Sequence, residues 1–208
     1  MGKTIAEKIL ENHALDDSAS AEPGNILRAR VDLVLLNDAN GPVAIQHFEN
    51  MGGEAVASPD NLAMVCDHFA PAPNAAAARM LGIMRKFAKD KGIKHFYDAG
   101  KGGIEHTLIP EQGLMGPGDL IAGGDSHTGT AGAFGAFGTG MSWAGMAAIM
   151  VLDETWFRVP ESMRFNLHGT KPAHVTGKDI ILKVLQDIGV DGGLYKSLEF
   201  AGPGVASF

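Results

Sequence analysis

Short, nearly unbroken apolar runs alternate with longer amphipathic stretches along this chain. Val31, Leu33, Val34, Leu35 and Leu36 fill most of Arg30–Leu36, and Leu62–Cys66 is a second run of the same kind. Runs of this length without polar alternation suit strands buried on both faces. Lys94–Tyr97, Leu120–Ala122 and Arg164–Leu167 are shorter strand candidates, and Leu198–Phe208 reads as a strand and turn. Helical spacing marks Thr4–Asn12, where Ile5, Ile9 and Leu10 share a face, and Pro42–Met51, where proline opens the first turn. Further helices are expected over Ala75–Lys91, with Gly92 as stop, over Ser142–Asp153, and over Thr176–Ile188 behind a Thr176/Asp179 cap. Met80, Met84, Phe87, Met146 and Met150 fall at helical spacing and are expected in the core. Residues 13–24 read as a polar loop. Strands alternating with helices imply an α/β protein of three layers, a largely parallel sheet covered by helices on both faces.

Composition narrows the function classes. The 208 residues are 45% apolar and 20% charged, ordinary for a globular protein with a real core. A net charge of −7 argues against nucleic acid as a partner, since such binding draws on cationic contacts to phosphate. No apolar run approaches the ~20 residues of a membrane helix. The opening MGKTIAEKIL lacks a signal-peptide core, which makes a cytoplasmic protein the default. Cys66 is the single cysteine, so this chain alone forms no intrachain disulfide and no cysteine-built zinc or iron–sulfur site. Glycine is abundant, 28 residues, and concentrated in Gly100–Gly103 and Gly116–Gly140. Such clustering signals tight turns or close backbone approach.

In open parallel sheets ligands bind beyond the carboxyl ends of strands. Three polar clusters stand there. Leu33–Leu36 leads to Asn37 and Asp38, Leu62–Cys66 leads to Asp67 and His68, and Leu120–Ala122 leads through two glycines to Asp125, Ser126, His127 and Thr128. His106 stands in the turn-rich segment Gly100–Ile109. An Asp beside a His fixes the imidazole tautomer and raises its basicity, which suits proton transfer to a departing hydroxyl. Ser126, Thr128 and the backbone N–H groups around Gly124 and Gly129 are suited to carboxylate oxygens. A lone Asp–His pair is more often structural than catalytic, and Asp38 alone could be a helix cap; the joint pattern carries the inference. His13, His47, His95, His168 and His174 read as surface or helix residues. Dinucleotide, phosphate-loop, HExxH and GxSxG motifs are absent.

Together these residues resemble the aconitase superfamily, in its isopropylmalate dehydratase and homoaconitase large-subunit branch. Gly124–Thr128, reading GDSHT, looks like the family's DSHT signature; Asp67–Pro71, reading DHFAP, is similar to its DH-x-x-P motif. Phe96–Asp98 through Gly103–His106 resembles the segment that carries a further catalytic histidine, and Leu36–Asp38 its first substrate-contacting turn. Lys178–Lys183 and Glu199–Ala206 resemble the opening of the family's second domain. The resemblance implies an aconitase-like first domain over 1–162 and the beginning of a second over 163–208. It implies Asp67, His68, His106, Asp125 and His127 as catalytic, with His68 paired to Asp67, His106 to Asp125, and His127 acting on the leaving oxygen. Asn37 and Ser126 would hold substrate.

The same resemblance implies a [4Fe–4S] cluster on three cysteines, acting as a Lewis acid on a hydroxy di- or tricarboxylate. No such cysteines lie within this chain, so neither the cluster nor any other metal is expected to bind it alone. The expected reading is the N-terminal portion of a hydro-lyase, 3-isopropylmalate dehydratase first and homoaconitase, methylisocitrate or dimethylmalate dehydratase as alternatives. Its expected partners are the rest of the large subunit and a separate small, swivelling subunit. A cluster-free carboxylate-binding module and a split enzyme completed by another chain are the competing readings. Trp143 departs from the small or acidic residue the family pattern leads one to expect there.

Overall fold

A computed structural model describes residues 2–16, 18 and 20–207. Phe208 of the expected C-terminal turn and residues 17 and 19 of the polar loop lie outside the described residues, as does Met1. The chain divides into two compact units. One comprises Ile9–Ser20 and Leu27–Phe157; the other comprises Met1–Lys8, Ala21–Ile26 and Arg158–Phe208.

The larger unit is built on a five-stranded sheet. Its strands are β2 (Leu33–Asn37), β3 (Leu62–Val65), β4 (His95–Tyr97), β5 (Leu120–Gly123) and β6 (Phe137–Gly140), in the order β4-β3-β2-β5-β6. All four neighbouring pairs are parallel. The three central strands are buried along their whole length, as their unbroken apolar runs require. Every residue of β2 is apolar except its last, Asn37, so the polar group emerges where the strand ends. From β2 the chain moves to β3 and β4 on one side, then crosses to β5 on the other. That reversal makes the gap between β2 and β5 a topological switch point, and the crevice beyond the carboxyl ends there is the place for a ligand.

The helices are α1 (Ile5–His13), α2 (Gly41–Asn50), α3 (Ala75–Lys91), α4 (Glu105–Glu111), α5 (Trp143–Leu152) and α6 (Gly177–Ile188). In α3 the buried residues Ala77, Leu81, Met84, Phe87 and Ala88 follow helical spacing. Asn74 caps its start by accepting from the Ala77 N–H, and Gly92, with φ 68°, ends it in the left-handed region. Ser142 caps α5 in the same way, and Thr176 and Asp179 form a reciprocal capping box on α6. One face of the sheet (Leu33, Leu35, Ala63, Val65, Ile121) packs with Leu108 and Ile109 of α4. On the other, Gly41 lets α2 approach Leu36 and the Met84 side chain of α3. Among the described residues no helix is long and apolar enough to cross a membrane.

Beside the unexpected strand β6, two features depart from the expected pattern. The apolar run at Arg30–Leu36 is two strands, because Asp32 turns the chain: its carboxylate accepts from the Leu120 N–H at 2.8 Å and contacts His13 Nε2 at 2.6 Å. The preceding strand, β1 (Ile26–Arg30), instead pairs with β7 (Glu154–Arg158). The segment expected to be turn-rich before Ile109 contains α4, whose seven residues and internal Pro110 leave little periodicity to read. In the smaller unit, β8 (Glu161–Asn166) and β9 (Lys196–Ala201) form a parallel pair, with α6 between them in sequence and Phe165 stacked on Phe200.

Candidate active site

The carboxyl ends of β2, β3 and β5 deliver their polar residues to one place. Asn37, the last residue of β2, and Asp38 and Asn40 just past it are buried. Asn37 Oδ1 accepts from the N–H groups of Ala39 and Asn40 at 3.0 and 3.1 Å, and Asn40 Oδ1 accepts from the Asn37 N–H at 3.1 Å. This mutual side-chain-to-backbone bonding satisfies the polar groups of the turn locally. Asp38 does not cap α2. Its two oxygens accept from the backbone N–H groups of His68 and Phe69, at 2.9 and 2.8 Å, and so fix the loop that follows β3.

Within that loop Asp67 uses both oxygens. One meets His68 Nδ1 at 2.7 Å; the other accepts from the Glu105 N–H at 2.8 Å, at the start of α4. The far nitrogen of His68 stands 3.9 Å from Asp125. After β5, Asp125 gathers the rest. Its Oδ1 lies 3.0 Å from His106 Nε2, 3.0 Å from His127 Nδ1, and accepts the His127 N–H at 2.7 Å. Ser126 Oγ is 3.3 Å from His127 Nδ1, and the His106 and His127 rings lie 6.2 Å apart. Asn37, Asp67, His68, His106, Asp125, Ser126 and His127 therefore share a single constellation. Of the three histidines His127 is the most open to solvent, its side chain 77% exposed; His68 is partly exposed, and Asp125 and His106 are largely covered.

Glycine permits this closeness. A Cβ at Gly124 would sit 2.5 Å from Asn40 Oδ1, and one at Gly138 would sit 2.3 Å from the Thr128 carbonyl oxygen. At the switch point the Asn40 side chain lies against the Gly124 backbone, and β6 lies against the Thr128 carbonyl, so neither glycine has room for a Cβ.

The charges follow the pairing. Burial works against the His68 imidazolium, but the Asp67 hydrogen bond and the charges of Asp67, Glu105 and Asp38 outweigh it and raise the His68 pKa. Burial likewise opposes ionised Asp125, yet the hydrogen bonds from His106 and His127 hold its carboxyl below the usual range. Glu105 goes the other way. Burial dominates and, with Asp67 and Asp125 nearby, raises its pKa, against the Asn37 hydrogen bond and the His106 charge.

Glu105 was not among the residues the sequence singled out. The signal for it was helical spacing: Glu105, Leu108 and Ile109 lie at i, i+3 and i+4, which puts the carboxylate on the buried face of α4.

Three overlapping His–carboxylate sets (His106/Asp125/His127, Asp38/Asp67/His68, His68/Glu105/Asp125) bring potential donor atoms within 4.8 Å. Hydrogen bonds among these same groups, and from Asp38 to the loop backbone, account for the first two sets, which read as acid–imidazole pairs and not as a cation cage. Cys66 belongs to none of them. It is buried at the end of β3, and burial with the Asp38 and Asp98 charges pushes its thiol up to about 12. One protonated, enclosed thiol does not fit the thiolate set of an iron–sulfur cluster.

Residues 7–208 match the family model described as the aconitase family (aconitate hydratase). The chain belongs to the aconitase family. Among curated proteins it is similar to the 3-isopropylmalate dehydratase large subunits of Oleidesulfovibrio alaskensis, 48% identical over 98% of this chain and 48% of that protein. The corresponding protein of Heliobacterium modesticaldum is 49% identical over 99% and 48% of the two chains. That of Syntrophus aciditrophicus is 47% identical over 100% and 49%. The chain thus spans about half the length of the curated relatives it matches.

Proposed function

We propose that this chain is the N-terminal portion of a hydro-lyase that dehydrates a hydroxy di- or tricarboxylate, with 3-isopropylmalate as first substrate. The observation that carries the proposal is the convergence of three imidazoles and their acid partners at one switch point, in a chain nearly half identical to 3-isopropylmalate dehydratase large subunits. Dehydration needs an acid to protonate the leaving hydroxyl. His127, its side chain largely exposed and backed by Asp125, takes that part. His106, held to the same carboxylate, and His68, held by Asp67, keep protons available beside it. Asn37 and Ser126 orient the substrate.

The cluster implied by the family belongs, in this reading, to sequence that this chain does not contain, as does the base that removes the carbon-bound proton, which a separate small subunit would supply. We further place the boundary between an aconitase-like first domain and the opening of a second at residues 162–163. The separation of Leu27–Phe157 from Arg158–Phe208 into different compact units supports a boundary close by, although Met1–Lys8 and Ala21–Ile26 group with the later unit. The reading extends to a cytoplasmic enzyme, which a single unpaired cysteine suits.

The test is turnover of 3-isopropylmalate, followed by absorbance of the unsaturated product. A complete large subunit containing this chain, with its small subunit and cluster, is expected to turn over, and the 208 residues alone are expected not to. Activity of the isolated chain, or a complete enzyme inert toward every hydroxy diacid, refutes the proposal.

A further inference from the structure

Glu105 is the carboxyl residue in the constellation for which the dehydration scheme has no use, and its surroundings are unlike those of an ordinary helix-start glutamate. It is 1% exposed. Oε1 accepts from Asn37 Nδ2 at 2.7 Å and stands 3.5 Å from His106 Nε2, while the backbone N–H is held by Asp67 at 2.8 Å. Oε2 is buried and has no hydrogen-bond partner. We propose that Glu105 is a positioning residue for His106: it ties the first turn of α4 to the ends of β2 and β3, and it keeps a carboxyl charge against the imidazole.

The inference rests on the dehydratase reading above. Its physical case is a mismatch between cost and need. Anchoring alone does not require a charge, since glutamine has the same length and its carbonyl oxygen accepts from Asn37 equally well. A carboxyl enclosed near Asp67 and Asp125, with one oxygen unpartnered, works against the fold. The 3.5 Å gap to His106 is too long for a firm hydrogen bond, and Asp125 at 3.0 Å has the closer claim on that nitrogen. What glutamate adds over glutamine is therefore charge next to the ring. A local stability cost accepted beside a reacting group is the pattern of a functional position.

Glu105→Gln separates this role from plain anchoring, because the two predict opposite changes in stability. The folded chain resists ionising Glu105, so the carboxylate destabilises it above the folded pKa, and the penalty vanishes below the unfolded value of about 4.3. At pH 8 the 208-residue E105Q chain is expected to melt roughly 2–4 °C higher than wild type, the gap closing as pH falls. In the complete dehydratase the same change is expected to lower kcat roughly tenfold to a hundredfold, with KM for 3-isopropylmalate within about threefold. Glu105→Asp, which keeps the charge, is expected to recover part of kcat. An E105Q chain that melts lower at pH 8, or an E105Q enzyme as active as wild type, overturns the proposal. A wild-type enzyme that does not dehydrate hydroxy diacids removes the dehydratase reading and this role together, whereas a working wild type with an equally active E105Q removes only this role.

Discussion

At the level of single residues, the sequence displayed the imidazoles more clearly than the groups that hold them. Asp67-His68 and Asp125-Ser126-His127 are adjacent in the chain and end apolar runs, so their acid–imidazole pairing could be read directly. Asp38 could not. It binds the loop after β3 across thirty positions of sequence, a contact created by the parallel pairing of β2 with β3. Asp38→Ala takes the buried acceptor from the part-buried N–H groups of His68 and Phe69. It is expected to lower stability by about 2–4 kcal/mol, read as a drop in the urea midpoint. Substitution at the proposed proton donors acts differently. His127→Asn or His106→Asn in the complete enzyme is expected to reduce kcat by roughly 10²–10⁴-fold. Either change should leave the urea midpoint of the 208-residue chain much less affected than Asp38→Ala does.

Among the elements, helices with clear caps were legible almost to the residue. Ala75–Lys91 matches α3, and Ser142 and Thr176 stand where α5 and α6 begin. Short elements among glycines were not. β6 has glycine at Gly138 and Gly140, so it shows neither the apolar run of a central strand nor the alternation of an outer one. The reason for those glycines is tertiary. The 3₁₀ turn Thr128–Phe134 lies against β6 so closely that a methyl group at Gly138 would strike the Thr128 carbonyl. Gly138→Ala is therefore expected to cost about 1–3 kcal/mol, because the clash is with backbone. Gly103 has open space at its Cβ position. Gly103→Ala should change stability, read from the same urea unfolding, by less than about 0.5 kcal/mol.

For the whole molecule, sequence reading reached the α/β class and the placing of the polar clusters at strand ends, but not the strand order β4-β3-β2-β5-β6. Periodicity says which segments are strands; it carries nothing about which side of β2 receives β5. That choice makes the switch point, and the site's response to pH follows from it. Asp125, with its pKa depressed, stabilises the fold above the unfolded value of about 3.9, and this is lost as pH falls through its lower folded value. His68, with its pKa raised, contributes fully below about 6.5, and this is lost as pH rises through its higher folded value. On these two groups stability is greatest between about pH 4 and 6.5, and urea midpoints across pH 3–9 check it. His68→Asn should flatten the alkaline side of that curve and leave the acid side unchanged.

Cys66, set aside as a cluster ligand, offers something else. A thiol with a pKa of about 12 is only about 10⁻⁴ ionised at pH 8, and it sits enclosed where β3 ends, one residue before Asp67. A thiol reagent can reach it only when the middle of the sheet parts. Its labelling rate is thus a clock for the opening motions of the site itself, free of interference from any second cysteine.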